Sequence, residues 1–310
     1  MTTTTSTLRL GTRRSALALA QSTTVADAVR RRGHVVEMVE VVTEGDRSAT
    51  AIATMGGTGV FVTELRRQLL DGAIDLAVHS LKDLPTQPAD GLVVAAMPQR
   101  EDPRDALVSR GDVTLAELPS GSRVGTGSPR RTAQLLALGL GLEVVAIRGN
   151  VDTRLRRVAE GDLDAVIVAA AGLARLGRLD AAAEVLDPGQ MLPAPGQGAL
   201  AIECRADDDA VRELLAALDE PVTRASTTAE RTLLARLEAG CTAPVGALAD
   251  VAVGDDGDEI YLRAVVASTD GSAAIRLSAT GPFTDPEGLG RRLAEDLLDA
   301  GAAGLIGENP

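Results

Sequence analysis

Along the first two thirds of the chain, short apolar runs alternate with stretches whose apolar residues recur every three to four positions. LRLG (8–11) predicts a strand. Residues 15–32 carry Leu17, Ala20, Val25 and Val29 at helical spacing and stop at Gly33. VVEMVEVVT (35–43) predicts the next strand, and the polar, glycine-rich 44–59 a loop. FVTELRRQLLDG then predicts a helix closed by Gly72, and IDLAVHSL (74–81) and GLVVAAMP (91–98) predict buried strands.

Near residue 99 the plan restarts. RVGTGSPRRTAQLLA (123–137) repeats RLGTRRSALALAQ (9–21), each a strand ending in Gly-Thr, an arginine-rich turn and an Ala/Leu helix. GDLDAVIVAAAG (161–172) echoes GAIDLAVHS (72–80). The consistent order predicts two lobes built alike, each with a parallel-rich α/β sheet. Ligands of such sheets bind beyond the carboxyl ends of the strands, where the arginine turns fall. Two lobes facing each other would set both arginine groups around one cleft.

The last third differs. Thr227-Thr228-Ala229-Glu230 reads as a capping box opening ERTLLARLEAG, with Gly240 closing that helix and Cys241 in the loop beyond. ALADVAVG (247–254), EIYLRAVVAS (259–268) and AAIRLSATG (273–281) are spaced as a three-stranded antiparallel sheet, and 287–301 as a helix packed on it. That is a third, smaller domain of α+β type.

At 310 residues the chain has room for two or three domains of about 100–150 residues. Its 31 Lys+Arg against 44 Asp+Glu give a net charge of −13. This excludes the chain-wide positive field of a general nucleic-acid binder and leaves room for a local basic pocket. Phe61, Tyr261 and Phe283 are the only aromatic residues, too few to stack bases. Cys204 and Cys241 make no disulfide framework. The N-terminal MTTTTSTLRLG lacks an apolar signal core, and no uninterrupted apolar run reaches about 18 residues. A cytoplasmic protein away from membranes is expected, and the lack of an exposed apolar repeat favours a monomer. Lys82 is the only lysine. Codon drift in a GC-rich genome accounts for such depletion, but it spares a lysine that the rigid fork of arginine cannot replace.

Three features could carry chemistry. His79-Ser80-Leu81-Lys82-Asp83-Leu84-Pro85 follows a buried strand. It reads either as a solvated loop or as a cleft mouth where Asp83 protonates a leaving group or stabilises a cation, with Lys82 holding an anion. Arg13, Arg14, Arg130, Arg131, Arg148, Arg154 and Arg175 fall at predicted strand ends or helix starts, with Ser128 and Asn150 as N-cap candidates. Singly each is an ordinary surface charge; together they imply a polyanionic ligand. No P-loop and no Gly-x-Gly-x-x-Gly at a strand–helix turn accompanies them. Cys241 reads as an inert loop thiol or a nucleophile, but a Cys–His hydrolase has only His34 and His79 to draw on and lacks an oxyanion motif. Two cysteines and two histidines without ligand spacing argue against a metal. Cys204 reads as core.

Taken in order, HSLKDLP, REDPRDALVS (100–109), GTGSPRR, IRGNVDTRL (147–155), AAAGLARLG (169–177), PAPGQGALAIECR (193–205) and ERTLLARLEAGCTAPVGA resemble the porphobilinogen deaminase (hydroxymethylbilane synthase) family. The resemblance runs from about residue 7 to 247. It implies a transferase of tetrapyrrole (haem) biosynthesis that joins four porphobilinogen molecules into hydroxymethylbilane and releases ammonia at each step. Growth starts on a dipyrromethane cofactor held by a thioether, here to Cys241. The catalytic carboxylate maps to Asp83, which assists loss of ammonia and stabilises the cationic azafulvene. Arg13, Ser15, Ser80, Lys82, Thr126, Ser128, Arg130, Arg131, Arg148, Arg154 and Arg175 map to positions that bind cofactor or substrate carboxylates. Phe61 maps to a pyrrole-packing position and Gln197 to the hinge. The implied fold is two similar α/β domains of the bilobed solute-binding-protein kind plus the smaller α+β domain: 1–98 with 197–217, 99–196, and 218–310. One departure stands out: Thr54 and Thr58 occupy the loop where many relatives carry lysines. This leaves 44–59 a lid role that Gly56, Gly57 and Gly59 permit. The competing reading is a non-catalytic bilobed binding or sensor protein for a small carboxylate, which explains the arginines but not Asp83 with Cys241.

Overall fold

The computed structural model describes residues 7–41, 59–239, 243–254 and 257–306, and of 59–61 the backbone alone. In chain order the elements begin with β1 (Leu8–Thr12), α1 (Ala16–Arg30), β2 (Val36–Glu40), α2 (Gly59–Leu70), β3 (Leu76–Ser80), a 3-10 turn (Leu81–Asp83) and β4 (Leu92–Ala96). There follow β5 (Asp105–Ser109), β6 (Arg123–Thr126), α3 (Pro129–Ala137), β7 (Glu143–Ala146), α4 (Val151–Ala159), β8 (Ala165–Ala169), α5 (Ala170–Arg175) and β9 (Glu184–Val185). The chain closes with β10 (Leu200–Arg205), α6 (Asp209–Ala216), α7 (Pro221–Arg236), β11 (Val245–Gly254), β12 (Gly257–Ala267), β13 (Ala274–Pro282), α8 (Pro286–Asp299) and α9 (Ala303–Ile306). Two compact units result, Met1–Arg100 with Ala199–Thr223 and Glu101–Gly198 with Arg224–Pro310.

The first unit holds a five-stranded sheet ordered β2-β1-β3-β10-β4. β1 runs parallel to β2 and β3, while β10 runs antiparallel to β3 and β4. β3 is buried on both faces, which is why its sequence is a nearly continuous apolar run. Its Leu76 and Val78 pack with Val25, Ala26 and Val29 of α1 and with Val211 and Leu215 of α6. Its Ala77 packs on the opposite face with Leu65 and Leu69 of α2.

The second unit repeats the plan in a sheet ordered β7-β6-β8-β5-β9, with β6 parallel to β7 and β8, and β5 antiparallel to β8 and β9. The two sequence echoes hold down to single hydrogen bonds. The Arg9 amide donates to Asp75 Oδ2 at 2.8 Å and the Arg123 amide to Asp164 Oδ2 at 2.8 Å. In return the amides of Asp75 and Asp164 donate to the carbonyls of Arg9 and Arg123. Gly11 and Gly125 are equivalent as well. A Cβ on Gly11 would run into Ile74, and one on Gly125 into Leu163, so each strand can carry only glycine there without repacking. Both sheets are parallel in three strands, with a reversed strand (β10 or β5) beside them that the apolar pattern alone did not distinguish.

The same unit carries the three-stranded antiparallel sheet β11-β12-β13, as the spacing predicts. α8 lays Leu289, Leu293 and Leu297 on it, a fully buried stripe at helical period. Three such leucines contribute on the order of 5 kcal/mol of transfer free energy before conformational entropy is counted. α8 starts at Asp285, whose carboxylate accepts the Gly288 amide at 2.9 Å.

The predicted capping box at Thr227 is not a helix start. α7 begins six residues earlier, at Pro221, a residue suited to a first helical turn. The Glu220 carboxylate accepts the amides of Val222 at 3.0 Å and Thr223 at 2.6 Å and so caps the helix. Glu230 instead lies buried in mid-helix and accepts the amides of Gly196 at 2.6 Å and Ala249 at 2.9 Å.

Candidate functional site

In the first unit the chemistry-bearing residues sit where β1 and β3 end. Leu81 and Leu84 are 1% and 2% exposed and anchor the 3-10 turn from below. The Leu81 amide donates to the carbonyl of Ala199 at 3.0 Å. These anchors lift Asp83 to the exposed surface, with Lys82 half-buried beside it. No described donor occupies the Asp83 carboxylate, so it is open to an incoming group. Ser80 Oγ accepts from Gln21 Nε2 at 2.9 Å. Ser15 caps α1 by accepting the Ala18 amide at 3.3 Å. Arg13 and Arg14 diverge: Arg13 is half-buried, whereas Arg14 is exposed and pairs with Glu40 at 3.1 Å.

Behind the turn lies a buried charge cluster that the sequence analysis did not single out. Arg66 of α2 forks the Glu203 carboxylate of β10, Nε at 3.1 Å and Nη2 at 2.7 Å. His79 Nε2 stands 3.1 Å from the same carboxylate. Burial opposes ionisation of Glu203, but the Arg66 fork and the adjacent His79 outweigh it and draw its pKa down to about 2.

In the second unit the arginines divide into two sets. Arg130 and Arg131, in the first turn of α3, are buried and converge on Asp105, which is fully buried at the start of β5. Arg130 Nη1 reaches Asp105 Oδ2 at 2.8 Å and the Leu192 carbonyl at 2.6 Å. Arg131 places Nε at 3.1 Å and Nη2 at 2.7 Å from Asp105 Oδ1, and Nη1 at 2.9 Å from the Ile167 carbonyl. Gln197 Nε2 donates to the same Oδ1 at 2.8 Å and to the Pro103 carbonyl at 2.7 Å. Burial disfavours the Asp105 charge, yet the Arg130 and Arg131 charges hold its carboxyl far below the usual range.

The other set meets no carboxylate among the described residues. Arg148 is exposed just past β7. Arg154, in the first turn of α4, bonds only the Gly149 carbonyl, at 2.9 Å. Arg175 ends α5, rather than falling at a strand end or helix start as expected from the sequence, and bonds the Gly198 carbonyl at 2.6 Å. Burial lowers the pKa of Arg154, with the Arg131 charge adding to it. Burial likewise lowers that of Arg175, opposed by Glu101. Both remain charged, because arginine starts so far above neutrality. Asn150 caps α4 by accepting the Thr153 amide at 2.9 Å. Ser128 holds the N-cap position of α3 but makes no side-chain cap, and its amide donates to Thr126 Oγ1 at 3.2 Å.

Arg154 and Arg175 are half-buried and pair with no described carboxylate, so an arriving carboxylate or phosphate would relieve a desolvation cost already met in the fold. Among the described residues no group of three or more His, Cys, Asp or Glu is arranged to hold a metal, and no helix is long and apolar enough to cross a membrane. Cys204 is buried in β10, where burial and then Asp208 push its thiol up to about 11. Cys241, the 44–58 stretch with Thr54 and Thr58, and the Phe61 side chain lie outside the described residues.

Asp105 and Glu203 carry no motif, because each is a lone acid heading or interrupting an apolar run, and Glu230 reads from sequence as part of a cap rather than as a buried acceptor. Asp105, the acid that heads the apolar run DALVS, carried the one usable signal.

Comparison with known proteins agrees with these features. Residues 8–213 match the family model "Porphobilinogen deaminase, dipyromethane cofactor binding domain" and residues 225–299 match "Porphobilinogen deaminase, C-terminal domain". The chain is 58% identical to porphobilinogen deaminase 1 of Streptomyces coelicolor, over 97% of this chain and 98% of that protein. It is 56% identical to porphobilinogen deaminase of Mycobacterium tuberculosis, over 96% of this chain and 98% of that protein. Among solved structures, the methionine-binding protein MetQ aligns at 14% identity with a TM-score of 0.43, over 68% of this chain and 89% of that one.

Proposed function

This chain belongs to the porphobilinogen deaminase family, and from that premise we propose how its own residues run the reaction. The enzyme is a transferase, a hydroxymethylbilane synthase: four porphobilinogen molecules are joined with loss of ammonia at each step, on a covalent dipyrromethane cofactor. The observation that carries the residue assignment is the set Arg148, Arg154 and Arg175, cations that no described carboxylate neutralises. Every pyrrole of cofactor and substrate brings an acetate and a propionate, the anions such a set accepts.

The dipyrromethane, when bound through Cys241, supplies the nucleophilic pyrrole carbon from which the product grows. Arg148, Arg154 and Arg175 take pyrrole carboxylates, with Arg130 and Arg131 adding their field from below. On the first unit Arg13 and Lys82 hold carboxylates, and the Lys82 ammonium does so as a compact point charge beside Asp83. Ser15, Ser80, Thr126 and Ser128 offer hydroxyl donors, Phe61 a ring surface, and Gln197 the hinge position. The exposed Asp83 carboxylate faces the pyrrole nitrogen. As ammonia leaves, positive charge grows there, so the interaction strengthens toward the transition state and lowers the barrier. We further read the chain as a cytoplasmic monomer without a nucleic-acid partner, in keeping with its net charge of −13.

Ammonia release from porphobilinogen by wild type and Asp83→Ala tests this reading. Wild type releases ammonia in step with porphobilinogen consumption, and Asp83→Ala keeps its thermal midpoint while turnover falls by more than tenfold, a barrier change above about 1.4 kcal/mol. Reversible binding without ammonia would favour the carboxylate sensor. A variant within about tenfold of wild type would remove Asp83 from the chemistry.

A further inference from the structure

The face of α2 turned to the first sheet is apolar except at one position. Val62 joins Leu81, Leu84, Met97, Ala199 and Ala201 in one buried cluster, whereas Leu65 and Leu69 join Val41, Ile74 and Ala77 in another. Arg66 follows Leu65 and meets Glu203, whose carboxylate His79 also approaches. In the strand register Ala201 of β10 is opposite His79, and Glu203 opposite Ala77. The side chains of Arg66, Glu203 and His79 are only 18%, 3% and 4% exposed.

Stability alone does not call for charge at such a point. Apolar residues of similar volume would continue both clusters, and replacing a buried ion pair in this way is commonly neutral or stabilising. What the charge adds is geometry. A guanidinium fork fits a carboxylate in one arrangement, while leucine stripes tolerate sliding. Both ends of the contact lead to the site. His79 is followed directly by Ser80 and then by the Lys82–Asp83 turn, and the first turn of α2 packs Val62 against Leu81 and Leu84.

We propose that Arg66, Glu203 and His79 are positioning residues for the reaction, a buried polar lock that fixes α2 in register against the strand presenting Ser80, Lys82 and Asp83. The proposal rests on the reading of Asp83 as the reacting carboxylate. The lock acts through the backbone of β3 and through Leu81 and Leu84, and none of its members touches substrate.

The test compares Arg66→Met/Glu203→Leu, which converts the lock to apolar packing, with wild type and with Asp83→Ala. In the double variant the thermal midpoint stays at or above that of wild type and the intact mass keeps its cofactor increment. Its kcat falls by about tenfold or more while KM stays within about threefold. A midpoint that holds with kcat within about twofold of wild type overturns the proposal. If the double variant does not fold, His79 decides. His79→Gln keeps a polar group beside Glu203 and keeps kcat within about threefold, whereas His79→Phe loses about tenfold at an unchanged midpoint. Equal kcat values for the two, or loss of midpoint and kcat together in His79→Phe, overturn it as well. Turnover retained in Asp83→Ala would instead mark failure of the underlying reading and not of the lock.

Discussion

Asp105 accepts from Arg131 Nη2 at 2.7 Å with the carboxylate fully out of solvent, and this pairing decides which arginines of the second unit already hold an anion. Arg130 and Arg131 share one buried anion. Removing it leaves two guanidiniums uncompensated in the interior. Asp105→Ala is therefore expected to cost about 3–5 kcal/mol, the usual result of breaking a buried pair from one side. Urea unfolding measures it, and a loss under about 1 kcal/mol would contradict the buried network.

The opposite pattern is expected at Arg154 and Arg175. Burial lowers the pKa of each and neither forms an ion pair with a described carboxylate, so removing the charge relieves the fold. Arg175→Leu and Arg154→Leu should match or exceed wild type in urea unfolding. Each should lower kcat/KM by about 10- to 100-fold, the worth of one charge-assisted hydrogen bond. A variant that loses stability but keeps kcat/KM would show that the arginine is structural.

Acid should weaken the protein in a defined window. Glu203 titrates near 2 in the fold and near 4.3 in an unfolded chain. Between those values the unfolded chain binds more protons, so stability rises with pH there. The Glu203 contribution is complete above about pH 5 and lost as the pH falls toward 2, and Asp105 acts in the same direction. The urea midpoint followed from pH 6 to 3 should fall, with a shallower slope in Glu203→Gln. Identical slopes would contradict the depressed Glu203 carboxyl.

Cys204 supplies the alkaline counterpart. Its thiol titrates near 11 in the fold and near 8.5 when unfolded, so its contribution is present below about pH 8.5 and lost as the pH rises toward 11. Iodoacetamide at pH 8 should leave native Cys204 unlabelled. After denaturation a cofactor-bearing chain should take one label, at Cys204, because the Cys241 sulfur is already a thioether. Two labels on denatured, active protein would contradict the thioether.

The duplicated plan was legible because it is written twice. Gly-Thr after each first strand and the acidic residue before each third strand recur in order, and Asp75 and Asp164 form the same backbone contacts. The three-stranded sheet was legible from spacing alone. The start of α7 was not, because Thr227 and Glu230 mimic a cap while the true cap, Glu220, precedes a proline. The reversed β10 was not either, since a strand buried on both faces has the same composition in either direction. Arginine positions pointed to an anion, but which of them are neutralised depends on Asp105, whose partners are 25 and 26 residues away in sequence. Such pairings follow from the fold and not from local pattern.

Whether this chain builds its product on a covalent primer is read from intact mass spectrometry of the purified, active protein. The expected mass exceeds that of the bare sequence by two porphobilinogen units, each added with loss of one ammonia, with no such increment in Cys241→Ser. Active protein at the bare sequence mass would contradict the covalent primer.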